Sequence, residues 1–244
     1  MIGIFDSGSG GISVLRHIRR MAPAADIVYF ADTKHMPYGE RTPDEITTLT
    51  LAGVRQLRDA GADTIVIACN SASSVFQPLT QLLLGGASFI DTIEPTVLSV
   101  PANATRPIGI VATPTTIRSK IFQSQFARCG IPTIDLPSAT LATAIEHSAF
   151  TNIRHIIRSI IQDAVRQHCT TLLLCCTHYP LAYDIFLQEI RRSNNNILLI
   201  DPTIAIARSA ICRASTEGTG IFKVITTEPS ETLHHHLRAV SSPT

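Results

Sequence analysis

Residues 64–79 of the chain read TIVIACNSASSVFQPL. The apolar, mostly β-branched residues at the start are typical of a buried strand, and Cys69-Asn70-Ser71 is typical of a small polar turn at its end. A helix is expected to follow over residues 73–84. Because ligands of open α/β sheets bind beyond the carboxyl ends of the strands, the turn that carries Cys69 is a candidate site.

A second stretch, TLLLCCTHYPL at residues 171–181, has the same pattern and brings Cys176 into register with Cys69 at an offset of 107 residues. The strand that begins at Pro107 resembles the strand that begins at Ile2, at an offset of 106 residues. Two matches at nearly the same offset predict an internal duplication of one α/β unit. The two cysteines are then expected to face one site from opposite sides.

The predicted fold is α/β, with two pseudo-symmetric doubly wound parallel-sheet domains and the active site in the cleft between them. The first domain is expected to comprise residues 1–97 together with about 207–244, and the second residues 98–206. The segment 221–226 and a final helix have no counterpart in the second copy. We therefore expect them to pack on the first domain and to make it discontinuous.

Hydrophobic periodicity, together with glycine and proline positions, predicts the individual elements. Residues 32–39 are too polar and too rich in proline and glycine for a helix, so a loop is expected there. Strands are predicted at 2–5, 26–31, 64–68, 88–93, 107–113, 133–136, 171–176, 197–200 and 221–226. Helices are predicted from 12, over 43–60, 73–84, 116–128, 139–149 and 153–167, after 180, over 204–214 and at the C-terminus.

The composition excludes several classes of protein. With 20 basic and 19 acidic residues, the net charge of +1 does not favour nucleic acid or an anionic membrane as a partner. No apolar run approaches the roughly 18 residues of a membrane span. The chain begins directly with a strand and lacks the basic start of a signal peptide, so we expect a cytoplasmic protein with reduced thiols. The six cysteines show no CxxC spacing, so no metal site is expected.

The first strand leads into Asp6-Ser7-Gly8-Ser9-Gly10-Gly11, and a helical pattern follows. A glycine-rich turn before a helix can cradle an anion, but this one is neither a GxGxxG fingerprint nor a Walker A loop. Its simpler interpretation is a tight turn that needs flexible glycines. A carboxylate at this place is better suited to act as a base or an orienting group than to bind an anion, which favours a functional role for Asp6. The second copy has Ala112 at this position, so the halves share geometry but not identical chemistry.

Two thiols that face each other across a cleft suit the removal of a proton from one face of a carbon acid and its return to the other face. That chemistry needs one thiolate and one thiol. Cysteines at strand ends and helix N-termini are expected to have lowered pKa values. Asp6 and His178 are the natural neighbours to tune the two thiols. The hydrogen-bonding side chains of the turns suit an amino-acid ligand: Ser7, Asn70, Ser71, Thr113, Thr116 and Thr177.

The motifs DSGSGG, PYG, ACNSAS and CTHYP, in this order and spacing, resemble those of the glutamate racemases, over Ile2 to about Pro202. The resemblance implies a cofactor-independent isomerase that supplies D-glutamate for peptidoglycan. It also implies two α/β domains around a cleft, a homodimer, and neither an organic cofactor nor a metal.

The resemblance also implies roles for individual residues. Cys69 and Cys176 would be the acid/base thiols, assisted by Asp6 and His178 respectively. Glu146 matches a glutamate of the family that lies near the second thiol. The residues that would line the substrate site are Asp6, Ser7, Tyr38, Gly39, Asn70, Ser71, Thr177 and His178. Some members of the family use an N-terminal extension to bind a peptidoglycan-precursor activator, and we expect basal activity here not to depend on one.

The sequence departs from the family pattern at two positions. Ser71 stands where threonine is usual, which keeps the hydroxyl and loses a methyl group. Cys175 stands where glycine is usual, and we expect it to point away from Cys176 into the core because adjacent strand residues alternate. The other cysteines, at 129, 169 and 212, are likewise expected in the core.

Three alternatives remain open from the sequence. The first is a racemase of another small amino acid, such as aspartate, or of a hydantoin, using the same two cysteines. The second is a pyridoxal-phosphate enzyme, although none of the three lysines, at 34, 120 and 223, ends a buried strand in a motif turn. The third is a binding protein that kept the cleft and lost turnover.

Overall fold

The computed structural model describes residues 1–75 and 87–241. Its strands form two separate sheets in which every pair is parallel. The strands of the described residues are β1 (Ile2–Asp6), β2 (Ile27–Ala31), β3 (Thr64–Ile67), β4 (Ser88–Ile90), β5 (Ile108–Ala112), β6 (Thr133–Pro137), β7 (Thr171–Cys175), β8 (Leu198–Ile200) and β9 (Phe222–Thr226).

The two sheets repeat one strand order. The first sheet runs β4-β3-β1-β2-β9 and the second β6-β5-β7-β8. When the second is read in reverse, β8-β7-β5-β6 matches β4-β3-β1-β2, and β9 is the additional strand. The strands that carry the motifs are therefore equivalent, β1 with β5 and β3 with β7, which agrees with the duplication predicted from the two sequence offsets.

Helices connect the strands of both sheets. In the described residues they are α1 (Ile12–Met21), α2 (Pro43–Asp59), α3 (Asn70–Val75), α4 (Ile93–Leu98), α5 (Pro114–Ser119), α6 (Ile121–Arg128), α7 (Leu141–Glu146), α8 (Phe150–Arg166), α9 (Tyr183–Arg192), α10 (Thr203–Arg213) and α11 (Glu231–Ser241). Short 3₁₀ turns lie at Thr33–His35, Tyr38–Glu40 and Tyr179–Ala182. None of the helices in these ranges is long and apolar enough to cross a membrane.

Each sheet has a hydrophobic core on both faces, as expected for a doubly wound parallel sheet. Ile4 of β1 lies in the cluster that includes Leu15 of α1. Phe5, the next residue, lies in the opposite cluster with Leu57 of α2. This alternation along a single strand explains why the strands are almost continuously apolar in the sequence.

The start of α2 shows how local sequence fixes an element. Thr42 accepts a hydrogen bond from the Glu45 backbone N–H, and the Glu45 carboxylate accepts one from the Thr42 backbone N–H. This reciprocal capping satisfies two backbone donors at the start of the helix, and Pro43 occupies the first helical position. The predicted helix over 43–60 is thus confirmed almost to the residue.

Several predicted elements were wrong in detail. The single helix expected over 116–128 is divided into α5 and α6, because Lys120 adopts a left-handed conformation with φ 55°. The strand expected over 88–93 ends at Ile90, since the Asp91 carboxylate accepts a hydrogen bond from the Ile93 backbone N–H and α4 begins there.

Two further differences lie in the first unit. The helix expected over 73–84 begins earlier, at Asn70, and its residues 76–84 lie outside the described residues. The expected loop at 32–39 contains two 3₁₀ turns.

The C-terminal segment lies against the first sheet. β9 pairs with β2, and Leu233 and Leu237 of α11 join the cluster that includes Ile12 and Leu15 of α1. Ile206 of α10 belongs to the same cluster. The boundaries at which the chain passes between the two units, near residues 97 and 206, stay a prediction.

Candidate active site

A cavity lies between the two units, at the carboxyl ends of β1, β3, β5 and β7. Cys69 and Cys176 both line it, and they are only 5% and 7% exposed, so both cysteines are shielded from solvent. The residues that line it are Ser7, Met36, Pro37, Tyr38, Gly39, Cys69, Asn70, Ser71, Thr113, Ala142, Thr143, Cys176, Thr177 and His178.

Cys69 follows β3 and directly precedes the first residue of α3. Its Sγ lies 3.6 Å from the hydroxyl oxygen of Ser7. Burial, followed by the negative charge of Asp6, raises the pKa of the Cys69 thiol to about 12. The expectation of a lowered pKa at this helix start is therefore wrong for Cys69, because loss of solvent outweighs the favourable hydrogen bonds from Ala72 and Ser7.

Asp6 ends β1 and is fully buried behind the cavity rather than among the residues that line it. One carboxylate oxygen accepts a 2.7 Å hydrogen bond from the Gly8 backbone N–H, and the other accepts one of 3.1 Å from the Thr177 hydroxyl. Burial raises the pKa of Asp6, and the nearby His178 partly opposes that increase. The Asp6 side chain thus joins the two units through its hydrogen bond with Thr177.

His178 forms a buried pair with Glu146. Its Nε2 lies 3.0 Å from a carboxylate oxygen of Glu146, and the same oxygen accepts a 2.5 Å hydrogen bond from the hydroxyl of Ser9 in the first unit. Burial lowers the pKa of His178, but hydrogen bonds with Cys176 and Glu146 outweigh it and hold that pKa well above the ordinary value.

The pKa of Glu146, the partner of His178, shifts in the opposite direction. Burial raises the pKa of Glu146, yet the hydrogen bond and charge of His178 lower it on balance. The pair is therefore an imidazolium and a carboxylate. It places a positive charge beside the sulfur of Cys176.

Hydroxyl groups cross the cleft on the other side of the cavity. The Ser71 and Thr113 hydroxyl oxygens are 3.0 Å apart, and Thr113 is in turn 3.2 Å from the Thr116 hydroxyl. Thr116 is 1% exposed and is not a lining residue, so it supports Thr113 from behind. Serine in place of the usual threonine at position 71 therefore still makes this contact between the units.

Tyr38 and Gly39 come from the 3₁₀ turn that follows β2. The Tyr38 hydroxyl donates a 2.6 Å hydrogen bond to Asp32, while the residue itself lines the cavity. A Cβ atom at Gly39 would lie 2.7 Å from the Cβ of Thr113, so this close approach of the two units requires glycine.

Asn70 supplies a donor that has no protein partner. Its Nδ2 is buried and makes no hydrogen bond within residues 1–75 and 87–241, although the residue lines the cavity. Buried polar groups are almost always paired. A donor left free at a cavity wall is suited to bind a polar ligand atom.

The structure brings together most of the residues singled out in the sequence. Asp6 and Thr116 support the site from behind, and Glu146 contacts His178 without being a lining residue. Four lining residues were missed. Pro37 is itself the first residue of the PYG motif and Met36 directly precedes it, which was an available signal, whereas Ala142 and Thr143 of α7 belong to no motif.

The remaining cysteines divide into two groups. Cys175 lies in the cluster that includes Phe122, on the opposite side of the sheet from the cluster of Cys176, so its predicted direction is confirmed. Cys169 is also buried. The prediction of a core position is wrong for Cys129 and Cys212, which are exposed, one just after α6 and the other on the outer side of α10.

The described part of the chain offers few groups for metal binding or for a pyridoxal-phosphate lysine. No cluster of three or more histidine, cysteine, aspartate or glutamate residues is placed there to hold a metal ion. Lys34, Lys120 and Lys223 are all exposed, and none lines the cavity.

The sequence model of the Asp/Glu/hydantoin racemase family matches residues 2–210. The chain belongs to this family. A glutamate racemase of Ralstonia pickettii is 36% identical over 214 residues, which are 85% of this chain and 73% of that protein. A glutamate racemase of Aquifex aeolicus is 30% identical over 242 residues, 98% of this chain and 93% of that protein. These relatives place the chain among the glutamate racemases, which are isomerases.

A crystal structure of glutamate racemase from Francisella tularensis, in complex with D-glutamate, matches the fold. Its TM-score is 0.86 at 23% identity, over 98% of this chain and 92% of that one. The predicted fold class, two similar doubly wound α/β units around a cleft, is confirmed.

Proposed function

We propose that the chain interconverts L- and D-glutamate by proton transfer at the α-carbon, with Cys69 and Cys176 as the two acid/base groups. The observation that carries this proposal is the position of two unpaired cysteines, one from each unit, on the walls of one cavity. Burial of both cysteines limits the access of water, so that a thiol rather than solvent can protonate a carbanion-like intermediate.

The two sulfur atoms have different surroundings, which suits a turnover in which Cys69 donates a proton and Cys176 removes one. Cys69, with its raised pKa, is in the thiol form and can donate a proton. Cys176 is hydrogen-bonded to His178, and in this proposal its sulfur removes the proton from the other face of the substrate. After turnover the protonation states of the two sulfurs are exchanged, and the site is ready for the opposite enantiomer.

Asp6 and His178 act through the thiols in this proposal. The Asp6 charge keeps the proton on Cys69 until the substrate carbanion forms. His178, which is held in place by Glu146, hydrogen-bonds to Cys176 and positions its sulfur. Neither role requires an organic cofactor or a metal ion.

The substrate carboxylates would be bound without arginine, since no arginine is among the cavity-lining residues of the described chain. The free Nδ2 of Asn70 and the hydroxyls of Ser7, Ser71 and Thr113 would donate instead, whereas the Thr177 hydroxyl already donates to Asp6. Hydrogen bonds to a charged acceptor are stronger than neutral ones, so several such donors together can hold a carboxylate.

Glutamate is favoured over aspartate as the substrate because the relatives at 30–36% identity are glutamate racemases. We propose that the D-glutamate serves peptidoglycan synthesis and that the enzyme acts in the cytoplasm, where thiols stay reduced. A homodimer is proposed as well, in keeping with the family resemblance.

A circular dichroism assay on L-glutamate, D-glutamate, L-aspartate and D-aspartate tests the proposal. Either glutamate enantiomer should lose its signal until the solution is racemic, while the aspartate signals persist at equal enzyme concentration. Loss of the aspartate signal alone would assign the chain to the alternative substrate. No change with any of the four would overturn the racemase proposal.

A further inference from the structure

The segment that follows β2 supplies four of the residues that line the cavity. Met36, Pro37, Tyr38 and Gly39 all lie there, between Asp32 and the start of α2. The position of this segment therefore sets one wall of the site. Hydrogen bonds to Asp32 and to the segment after β9 hold it in place.

Asp32 makes the central hydrogen bonds that attach this segment to the rest of the first unit. Its carboxylate is almost fully buried, and one oxygen accepts the 2.6 Å hydrogen bond from the Tyr38 hydroxyl. The other oxygen accepts a 2.8 Å hydrogen bond from the hydroxyl of Thr227 and lies 2.8 Å from Nδ1 of His35.

Thr227 comes from a distant part of the chain, just after β9. Its hydroxyl also accepts a 3.0 Å hydrogen bond from the Lys34 backbone N–H, so one group holds both the carboxylate and the backbone of the segment. The next residue adds a reciprocal pair, in which the Thr33 hydroxyl donates to the Glu228 carbonyl and accepts from the Glu228 backbone N–H.

The Tyr38 hydroxyl is committed to this attachment. Burial, and then the hydrogen bond to Asp32, raise the pKa of Tyr38, so the hydroxyl stays a neutral donor that points at the carboxylate. Tyr38 can therefore not use its hydroxyl as a hydrogen-bond donor toward the cavity. Its placement depends on Asp32, and through Asp32 on Thr227.

We propose that Thr227 is a positioning residue for the reaction: its hydroxyl fixes Asp32 and the backbone at Lys34, and thereby holds Tyr38 and Gly39 at the cavity wall. The inference rests on the proposed function, because it concerns the binding of that substrate. It extends the site to a residue beyond position 210, where the match to the family ends.

The test compares Thr227→Val with Thr227→Ser. Valine keeps the branched shape and removes the hydroxyl, whereas serine keeps the hydroxyl. Thr226→Val is the matched control, since no hydrogen bond of the Thr226 hydroxyl is found among the described residues and adjacent strand residues point to opposite faces. Wild-type enzyme is assayed first, because racemisation of glutamate by the wild type establishes the proposed function independently of any Thr227 result.

Thr227→Val should raise KM for both glutamate enantiomers by about 3- to 10-fold, the loss expected from one buried hydrogen bond. The kcat value should change much less, because the thiols stay in place. Thr227→Ser should restore wild-type KM, and Thr226→Val should leave both constants unchanged. Tyr38→Phe and Thr227→Val should combine to less than the product of their separate effects, since they break the same attachment.

Equal KM values for Thr227→Val, Thr226→Val and wild type would overturn the proposal. So would a Thr227→Ser enzyme as weak as Thr227→Val, which would show that the hydroxyl is not the active feature. A fall in kcat with unchanged KM, accompanied by a lower melting temperature, would assign Thr227 a purely structural role and would also refute the inference.

Discussion

At the residue scale, the two cysteines occupy equivalent places in the two units but have different neighbours. The charge of the buried Asp6 acts on Cys69, whereas Cys176 is a hydrogen-bond partner of His178. A carboxylate disfavours the thiolate and an imidazolium favours it. The duplicated geometry therefore places the two thiols beside groups of opposite charge, an arrangement that suits the proposed proton transfer between two faces.

Replacing either sulfur tests this assignment. Cys69→Ser and Cys176→Ser should each lower racemisation by about 10²- to 10⁴-fold or more, because a hydroxyl is too weak an acid to take over proton transfer. Each variant should still eliminate HCl from one enantiomer of a chloro-substituted glutamate, since elimination needs deprotonation on one face only. Near-wild-type racemisation by both serine variants would refute the assignment.

The exposed cysteines provide the control for these variants. Cys129→Ser makes the same chemical change at a site far from the cavity lining. Its racemisation rate and melting temperature should equal those of the wild type. Parallel losses in all three serine variants would point to general damage rather than to a catalytic role.

The residue scale is also where sequence reasoning was strongest and where it failed. Register between two strands sufficed to pair Cys69 with Cys176, because parallel strands of equivalent units end at equivalent places. The pKa of Cys69 could not be predicted in the same way, since it depends on how deeply the second unit buries the sulfur. Ala142 and Thr143 could not be found at all, because small residues on a short helix carry no pattern that distinguishes a cavity wall from ordinary packing.

At the scale of elements, an ion-pair cluster joins α8 to α9. Glu189 of α9 is 2% exposed, and its carboxylate oxygens lie 2.7 Å from Arg154 and 2.9 Å from Arg158 of α8, and 2.6 Å from Arg192. Burial raises the pKa of Glu189, but the hydrogen bonds from the three arginines outweigh it and lower that pKa to about 2. The carboxylate is therefore ionised over the whole working range of pH.

The lowered pKa predicts how stability depends on pH. A carboxyl group whose folded pKa lies below its unfolded value stabilises the fold above the unfolded value, here 4.5, and loses that contribution as pH falls through about 2. Glu189→Gln should cost about 1–3 kcal/mol of unfolding free energy at pH 7. The difference from wild type, measured by thermal unfolding, should narrow steadily between pH 5 and pH 2.

An exposed ion pair within α8 serves as the comparison. Asp163 of α8 pairs with Arg166, and both side chains are well exposed. Asp163→Asn should change the unfolding free energy by at most about 1 kcal/mol. If Glu189→Gln behaved like Asp163→Asn at every pH, the cluster would not hold α8 to α9.

Sequence periodicity located α8 and α9, but it did not predict this cluster. The arginines and Glu189 look like ordinary surface charges when the helices are read one at a time. Only the crossing of the two helices brings them together. The break at Lys120 was missed for a related reason, because the apolar pattern continues through it and one left-handed residue leaves no mark in the sequence.

At the scale of the whole molecule, the two units are in contact through the residues of the site itself. Ser9 bonds to Glu146, Thr177 bonds to Asp6, and Ser71 approaches Thr113. Because both sulfurs are nearly fully buried, we expect the units to separate when glutamate enters. Closure would then also bring the proton-transfer groups together.

A methyl group placed in the contact between the units should impair their approach to each other without unfolding either unit. A Cβ at Gly10 would lie 2.6 Å from Nδ1 of His178 and 2.8 Å from the hydroxyl oxygen of Thr177. Gly10→Ala should therefore hold the units apart and lower kcat/KM by about tenfold or more, since misplacement by about 1 Å can cost as much as 10²-fold.

The folded state of that variant is the control. Each unit has its own core, so the circular dichroism spectrum should be unchanged, and small-angle scattering should show a larger radius of gyration. An alanine variant with wild-type activity would mean that the contact seen at Gly10 is not needed for turnover.

The most direct measurement of the central claim is hydrogen exchange during a single pass of the reaction in D₂O. L-glutamate is incubated with the enzyme, and the deuterium content of both enantiomers is measured by mass spectrometry while little product has formed. Two thiols on opposite faces predict D-glutamate that carries solvent deuterium at the α-carbon, next to unreacted L-glutamate that keeps its proton. D-glutamate that retains the original proton, or deuterium appearing equally fast in both enantiomers, would contradict the two-thiol account.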